Sequence, residues 1–124
     1  MIVGVGTDIL QISRMQRSLQ RTPGLLKRIL TPAEQLQCSR SARPYLFLAK
    51  RFCAKEAIAK ALGTGIGRGV SWQHLQIDKD ANGRPLVLLS EGAEQRAAEL
   101  GISRIQLSYS DEREYVVAFA IAES

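Results

Sequence analysis

Two carboxylates in this sequence stand apart from other acids and lie beside groups suited to phosphate chemistry. Asp8 lies in the apolar run IVGVGTDI near the start of the chain, and Glu56 lies in the segment RFCAKEAIAKALG at residues 51–63. Mg²⁺ usually takes one or two protein carboxylates and fills its other octahedral positions with water and substrate phosphates. The pair therefore predicts a magnesium site for phosphoryl transfer that the substrate completes.

The spacing around Glu56 places three side chains on one face of a predicted helix. Phe52, Glu56 and Lys60 follow one another at intervals of four residues, so this face presents a ring, a carboxylate and an ammonium group. A simpler interpretation is an ordinary helix pair between Glu56 and Lys60, worth about 0.2–0.5 kcal/mol. Asp8 also has a simpler interpretation, as a cap for the turn after a strand. The choice depends on what the neighbouring segments add.

Further basic residues and a glycine-rich loop favour the phosphate interpretation. Arg51 and Lys55 lie on the same predicted helix as Glu56, and the loop TGIGRG at residues 64–69, which includes Gly65, could offer backbone N–H groups to a phosphate. The loop matches neither the Walker pattern nor GxGxxG, and it follows a helix instead of joining a strand to one. The loop is therefore at least as compatible with a plain helix-to-strand connector as with a phosphate site.

The charge distribution indicates an acidic partner. The formal net charge is +5, and the segment between Asp8 and Glu34 contains five basic residues and no acid. Three arginines share one face of a predicted helix there, which is either a docking surface or a solvated face: Arg14, Arg17 and Arg21. The same charge also supports a second function class, a non-catalytic module that binds RNA or DNA.

Length and composition indicate a single domain spanning residues 1–124, large enough for one hydrophobic core. No apolar run approaches the roughly 20 residues of a membrane helix, so a soluble protein is expected. The start MIVGVGTDIL lacks a basic lead-in and a cleavage site, which predicts a first strand and a cytoplasmic location. Cys38 and Cys53 lack CxxC spacing and are predicted to be buried free thiols, while His74, the single histidine, offers too few ligands for zinc.

Hydrophobic periodicity and turn residues predict a mixture of helices and strands. Gly4 and Gly6 mark a close backbone approach in the first strand, TPAE predicts a helix start with a capping box, and Gly63 suits the left-handed residue after a helix. The predicted elements are a strand at 2–11, a helix at 14–21 capped by Ser13, a helix from 31, a long helix at 44–62, strands at 73–78 and 86–89 joined by a turn, a helix between Ser90 and Gly101, and strands at 103–110 and 114–121.

Taken together, two linked motifs resemble a known family. GVGTDILQISR near the start and RFCAKEAIAKALGTGIGRG in the middle, which fits FxxKEAxxKA followed by a glycine loop, are similar to the holo-acyl-carrier-protein synthases, the short bacterial 4′-phosphopantetheinyl transferases. The resemblance spans nearly the whole chain, including ILTPAE, NGRP and SDEREYVVAFAIAE. It implies transfer of 4′-phosphopantetheine from coenzyme A to a serine of apo-acyl carrier protein, with release of adenosine 3′,5′-bisphosphate, in fatty acid biosynthesis.

The resemblance also implies roles for individual residues. Asp8 and Glu56 become the Mg²⁺ ligands, and Lys60 neutralises charge on the transferred phosphoryl group. The fold implied is α+β, with antiparallel strands around a long central helix, in a homotrimer whose sites lie between protomers. The arginine face becomes a docking surface for the acidic carrier protein, and no nucleic-acid partner is expected.

One departure from the family concerns Asp111 in the segment SYSDE, where part of the family has a histidine. A phosphate contact by that histidine cannot be carried over, so the 3′-phosphate of coenzyme A is assigned to Arg51 or Lys55, with Gly65 as a further contact. The serine proton has two possible acceptors, Glu56 through a water or a metal-bound hydroxide. The sequence does not rank them.

Overall fold

The computed structural model describes all 124 residues. Its elements, in chain order, are β1 (Ile2–Gln11), α1 (Ile12–Arg21), α2 (Leu25–Ile29), α3 (Pro32–Ser39), α4 (Pro44–Ala61), a 3₁₀ turn (Trp72–His74), β2 (Leu75–Lys79), β3 (Pro85–Leu89), α5 (Glu91–Leu100), β4 (Arg104–Asp111) and β5 (Tyr115–Glu123). The predicted α+β class is confirmed. None of the helices has the length and apolar character needed to cross a membrane.

The first and last strands meet in a three-stranded antiparallel sheet with the order β1-β5-β4. Its inner face carries small side chains on β5, including Ala118 and Ala120, which are buried beneath α4. The opposite face of β1 and β5, here called the outer sheet face, carries exposed apolar side chains at Val3, Val5, Ile9, Tyr115, Val117 and Phe119. On the neighbouring β4 the same face becomes polar, with Gln106 and Ser108 exposed. A separate hairpin pairs β2 with β3.

Two glycines let β1 lie directly against α4. A Cβ atom at Gly6 would collide with the backbone oxygen of Ala57, and one at Gly4 would collide with that of Ala61. Only residues without a side chain allow this approach, so the predicted meaning of these glycines is confirmed. Because side chains alternate along a strand, Asp8 points to the same side as Gly6, toward the last turns of α4.

Several predicted helix boundaries are confirmed. The helix predicted at 44–62 is α4, followed by Gly63 with a φ of 77° in the left-handed region. Thr31 and Glu34 form the predicted capping box of α3: the Thr31 side chain accepts from the Glu34 N–H, and the Glu34 carboxylate accepts from the Thr31 N–H. Cys38 and Cys53 are buried free thiols, as predicted.

The start of α1 and the start of β2 differ from the prediction. Ser13 does not cap α1, since the helix begins at Ile12, whose N–H donates to the Glu114 carbonyl across the sheet end at 2.8 Å. The strand expected from residue 73 begins at Leu75 instead. A 3₁₀ turn precedes it, because the Ser71 hydroxyl accepts from the Gln73 N–H and fixes a cap there.

Candidate functional site

Asp8 and Lys60 meet where β1 crosses the end of α4. The Lys60 Nζ donates to the Asp8 Oδ1 at 3.2 Å and to the Thr7 carbonyl at 2.8 Å. The Lys60 side chain is 53% exposed and that of Asp8 19% exposed, so the pair opens to solvent at one side. An ammonium group has three donors, and these two bonds leave one N–H of Lys60 available to a ligand.

Glu56 lies one turn before Lys60 on α4, close enough to Asp8 for the two charges to interact. Burial raises the pKa of the Glu56 carboxyl, a hydrogen bond from the Trp72 indole opposes this shift, and the Asp8 charge adds to it. The Trp72 Nε1 donates to the Glu56 Oε2 at 3.2 Å. The fold therefore holds two like charges near each other, with Glu56 partly removed from water.

The donor set around Asp8 and Glu56 fits a hard divalent cation bound with its substrate. The protein offers two carboxylates here, and no cluster of three or more acids, histidines or cysteines exists anywhere in the chain. Cys53 lies beside Asp8, but its thiol donates to backbone carbonyls, and burial with the Asp8 charge raises the pKa of Cys53 to about 12. Oxygen ligands with room for water and phosphate suit Mg²⁺.

Lys55 does not reach this site, and its ammonium has no donor left for the predicted contact with coenzyme A. Its side chain is 0% exposed, and Nζ donates to the Glu34 Oε1 at 2.6 Å, to the Ile29 carbonyl at 2.7 Å and to the Trp72 carbonyl at 3.0 Å. All three donors are used within the protein. Burial lowers the pKa of the Lys55 ammonium, and Glu34 opposes that shift. Lys55 is therefore a structural cation.

Arg51 belongs to the same buried cluster. Its NH1 donates to the Glu34 Oε2 at 3.3 Å and to the Ile77 carbonyl, and the guanidinium lies 4.6 Å from the centre of the Phe47 ring. The side chain is 5% exposed. Two of its five N–H donors therefore join α4 to α3 and β2, and a contact with coenzyme A stays a prediction.

Two amides of the glycine loop donate within the protein. The Gly65 N–H donates to the Ala59 carbonyl at 3.1 Å, and Gly67 and Val70 bond to each other in both directions. The N–H of Gly65 is therefore not free to donate to a phosphate. No atom lies within 4 Å of a Cβ built on Gly65, so close approach of a substrate to this residue stays a prediction.

Sequence reasoning missed a basic pocket between α4, β2 and β4. Arg43, Lys50, Arg51 and Lys79 line this cavity of about 260 Å³ together with Tyr109. Of these four cations, only Arg51 was assigned to coenzyme A from the sequence. Asp111, at the position of the family histidine, pairs with Lys50 at 3.0 Å, so its charge is directed to a lysine. Lys79 ends a strand far along the chain from the other three cations, and only the packing of the hairpin brings the four together.

The three arginines of α1 point to solvent as predicted. Arg14, Arg17 and Arg21 are exposed, while Met15 on the opposite face is 3% exposed and belongs to the core. None of the three arginines forms an ion pair within the chain; Arg17 donates only to the Ser13 hydroxyl at 3.4 Å. Their role in docking stays a prediction.

Comparisons with known proteins identify the family. The sequence profile of the 4′-phosphopantetheinyl transferase superfamily matches residues 4–120. A holo-[acyl-carrier-protein] synthase of Shewanella halifaxensis is 52% identical over 132 aligned positions, which cover 100% of both chains. The crystal structure of a holo-[acyl-carrier-protein] synthase from Neisseria meningitidis matches with a TM-score of 0.94 at 44% identity, covering 100% of both chains. That of Bacillus anthracis, in complex with coenzyme A (3′,5′-ADP), matches with a TM-score of 0.83 at 35% identity, covering 100% of this chain and 98% of that one.

The site and these matches define a phosphopantetheinyl transferase. The chain belongs to the 4′-phosphopantetheinyl transferase superfamily and, within it, to the holo-[acyl-carrier-protein] synthases. The resemblance inferred from the two sequence motifs is thereby confirmed.

Proposed function

We propose that this chain, as one domain of residues 1–124, transfers 4′-phosphopantetheine from coenzyme A to a serine hydroxyl of apo-acyl carrier protein in a Mg²⁺-dependent reaction. The observation that carries the proposal is the meeting of Asp8, Glu56 and Lys60, which come from the two family motifs, at one crossing of β1 and α4. In the reaction, a bond forms between the serine oxygen and the phosphorus of phosphopantetheine. The pyrophosphate bond breaks, and adenosine 3′,5′-bisphosphate leaves.

Each residue of the site has a distinct part in this proposal. Asp8 and Glu56 would hold Mg²⁺, which when bound neutralises and polarises the pyrophosphate oxygens. Lys60, fixed by the Thr7 carbonyl, directs its remaining N–H to the transferred phosphoryl group. Phosphoryl transfer depends mainly on positioning and charge neutralisation, so no protein nucleophile is required. The two candidate acceptors of the serine proton stay open.

Coenzyme A is the proposed donor because a relative at 35% identity is described in complex with it. The basic pocket is our candidate for one of its phosphates, in place of the buried Lys55. Arg43 and Lys79 are its best candidates for phosphate contacts, because Lys50 is already paired with Asp111 and Arg51 with Glu34. Arg43→Ser should raise the KM for coenzyme A with little change in the KM for the carrier protein.

A homotrimer is the proposed assembly. The outer sheet face exposes a row of apolar side chains on adjacent strands, and an exposed patch of this kind usually marks an interface. Light scattering should give about three times the 13.7 kDa mass of the chain. Val117→Asp should dissociate the assembly, whereas Ser108→Asp on the polar part of the same sheet should not. A wild-type protein that is monomeric at working concentration would contradict the proposal.

The arginines of α1 are the proposed docking surface for the carrier protein, whose target serine lies in an acidic environment. Complementary charge mainly accelerates encounter and weakens with salt. Fatty acid biosynthesis in the cytoplasm is the proposed setting, because acyl carrier proteins serve that pathway.

The experiment that tests the function is the intact mass of an apo-acyl carrier protein after incubation with this protein, coenzyme A and Mg²⁺, with an EDTA control. A gain of one phosphopantetheine that EDTA abolishes supports both the transfer and the metal. No gain with several carriers would refute the transfer and direct attention to nucleic-acid binding, which requires neither Asp8 nor Glu56 and weakens steeply with salt.

A further inference from the structure

Trp72 is the one residue that donates a hydrogen bond to the side chain of Glu56. Its indole Nε1 lies 3.2 Å from Oε2, and the other carboxylate oxygen has no partner within the protein. An indole nitrogen can only donate a hydrogen bond, so Glu56 is always the acceptor in this contact, and the contact favours the ionised carboxylate. One oxygen of Glu56 is thereby fixed while the other stays free for a ligand.

The indole is held in place from two sides. Its ring packs against Phe52, with ring centres 5.9 Å apart and planes inclined by 47°. Its backbone carbonyl accepts a hydrogen bond from the Lys55 Nζ at 3.0 Å, and Lys55 is paired with the buried Glu34. Both Phe52 and Lys55 lie on α4, the helix that carries Glu56. The indole is therefore fixed relative to the helix whose carboxylate it contacts.

The turn that carries Trp72 is closed by its own hydrogen bonds. The Ser71 hydroxyl accepts from the Gln73 N–H at 3.2 Å, and the Ser71 N–H donates to the His74 Nδ1 at 3.1 Å. This bond gives His74 a structural role. A short turn with both ends bonded has little freedom to move the indole away from Glu56.

We propose that Trp72 is a positioning residue for Glu56: its N–H fixes the carboxylate so that the free oxygen and Asp8 can bind one cation together. The inference rests on the proposed function, because it assigns Glu56 to the metal. Partners that orient metal ligands typically contribute about 10-fold to 100-fold to metal affinity or activity. A contribution of that size separates a positioning role from simple packing.

The first test compares two substitutions that divide the roles of the indole. Trp72→Phe keeps an aromatic ring against Phe52 and removes the N–H donor, whereas Phe52→Leu removes the ring contact and keeps the donor. We expect Trp72→Phe to raise the Mg²⁺ concentration for half-maximal rate about 10-fold or more, with an unchanged KM for the carrier protein. Phe52→Leu should have a clearly smaller effect on the Mg²⁺ requirement. A Trp72→Phe variant with wild-type Mg²⁺ dependence, or equal effects of the two substitutions, would overturn the inference.

The second test needs no turnover and no change at Trp72. Because the chain has a single tryptophan, its fluorescence reports on the surroundings of Trp72. Titration with Mg²⁺ and coenzyme A should change the emission of the wild type saturably, and Glu56→Gln should abolish the response to Mg²⁺. An identical Mg²⁺ response in both proteins would contradict the positioning role even if Trp72→Phe failed to fold. Wild-type protein that transfers nothing would refute the proposed function instead, so the two failures can be told apart.

Discussion

Replacing Glu34 by glutamine should test the buried charge cluster beneath the site. The Glu34 side chain is 0% exposed and accepts hydrogen bonds from four donors: the ammonium of Lys55, the guanidinium of Arg51, and the backbone N–H groups of Thr31 and Ile77. Glutamine keeps the volume and one acceptor oxygen but removes the negative charge. The ammonium of Lys55 would then be buried without a counter-charge.

The magnitude follows from the burial of both partners. Removing one member of a buried ion pair typically costs about 3–5 kcal/mol, since the remaining charge loses its compensation. Unfolding entropy of about 2.1 cal/mol/K per residue gives about 0.26 kcal/mol/K for a chain of this length. Glu34→Gln should therefore lower the Tm by about 12–19 °C. Circular dichroism during thermal unfolding measures this shift directly.

The penalty should also depend on pH, in a direction set by Lys55. Burial lowers the pKa of this ammonium in the fold, and loss of Glu34 removes the charge that opposes the shift. When the folded pKa of a lysine is below its unfolded pKa, the unfolded chain binds more protons between the two values, and stability rises with pH in that window. The penalty of Glu34→Gln should therefore be largest near neutral pH and shrink toward pH of about 10.

A double variant separates charge from packing. Glu34→Gln combined with Lys55→Met removes both charges of the pair, so it should recover part of the lost stability and lose the pH-dependent recovery. Urea unfolding across a pH series compares the two variants. A Tm decrease below about 3 °C for Glu34→Gln, or a penalty that does not change with pH, would refute the assignment of Lys55 as a charged structural group.

Three further substitutions test the site, the strand crossing and the docking surface. Glu56→Gln should abolish transfer in the carrier mass assay. At pH values above the pKa of Glu56 it should also raise the Tm of the metal-free protein, because a carboxyl whose folded pKa is raised destabilises the fold once it is ionised. Gly6→Ala should cost at least about 1–3 kcal/mol in urea unfolding, since the new Cβ meets the Ala57 carbonyl. Arg14→Glu should raise the KM for the carrier protein at low salt, with the difference fading as ionic strength rises.

Each of these has a clear contrary result. Retained turnover in Glu56→Gln would remove this residue from the metal site, and a Tm unchanged at every pH would contradict its unfavourable burial. Gly24→Ala is the matched control for Gly6→Ala, since a Cβ there meets nothing within 4 Å, and equal losses would contradict the steric argument. An unchanged KM for Arg14→Glu at all salt concentrations would leave the α1 arginines as a solvated face.

The site formed by Asp8, Glu56 and Lys60 could be predicted because local sequence patterns coincide with the long-range contact between β1 and α4. Glycines two residues apart in a strand imply that another backbone approaches, and the strand alternation then fixes the direction of Asp8. On α4 the four-residue spacing places Glu56 and Lys60 on a common face. These rules depend on periodicity alone, so they could be applied without knowledge of the packing.

The buried cluster could not be predicted in the same way. Arg51 and Lys55 are cations near a predicted phosphate site, and charge alone does not tell whether a side chain faces a ligand or a buried acid. Glu34 was correctly assigned to a capping box. The cap needs only one of its carboxylate oxygens, and the sequence does not indicate which group the other oxygen contacts. Glu34 lies 17 residues before Arg51 in the sequence, so only the tertiary fold brings the carboxylate and the guanidinium together.

Two sets of charged side chains that involve α4 differ in how completely the protein satisfies their hydrogen-bonding atoms, and this difference separates structure from chemistry. Lys55 and Glu34 are fully buried, with all three donors of Lys55 used. Glu56 and Lys60 keep an oxygen and an N–H free, while burial and the Asp8 charge disfavour ionised Glu56. A bound cation would relieve that cost and use the free oxygen. Since Lys55 also holds the turn whose indole contacts Glu56, the buried pair of Lys55 and Glu34 maintains the geometry in which Glu56 and Lys60 can bind a ligand.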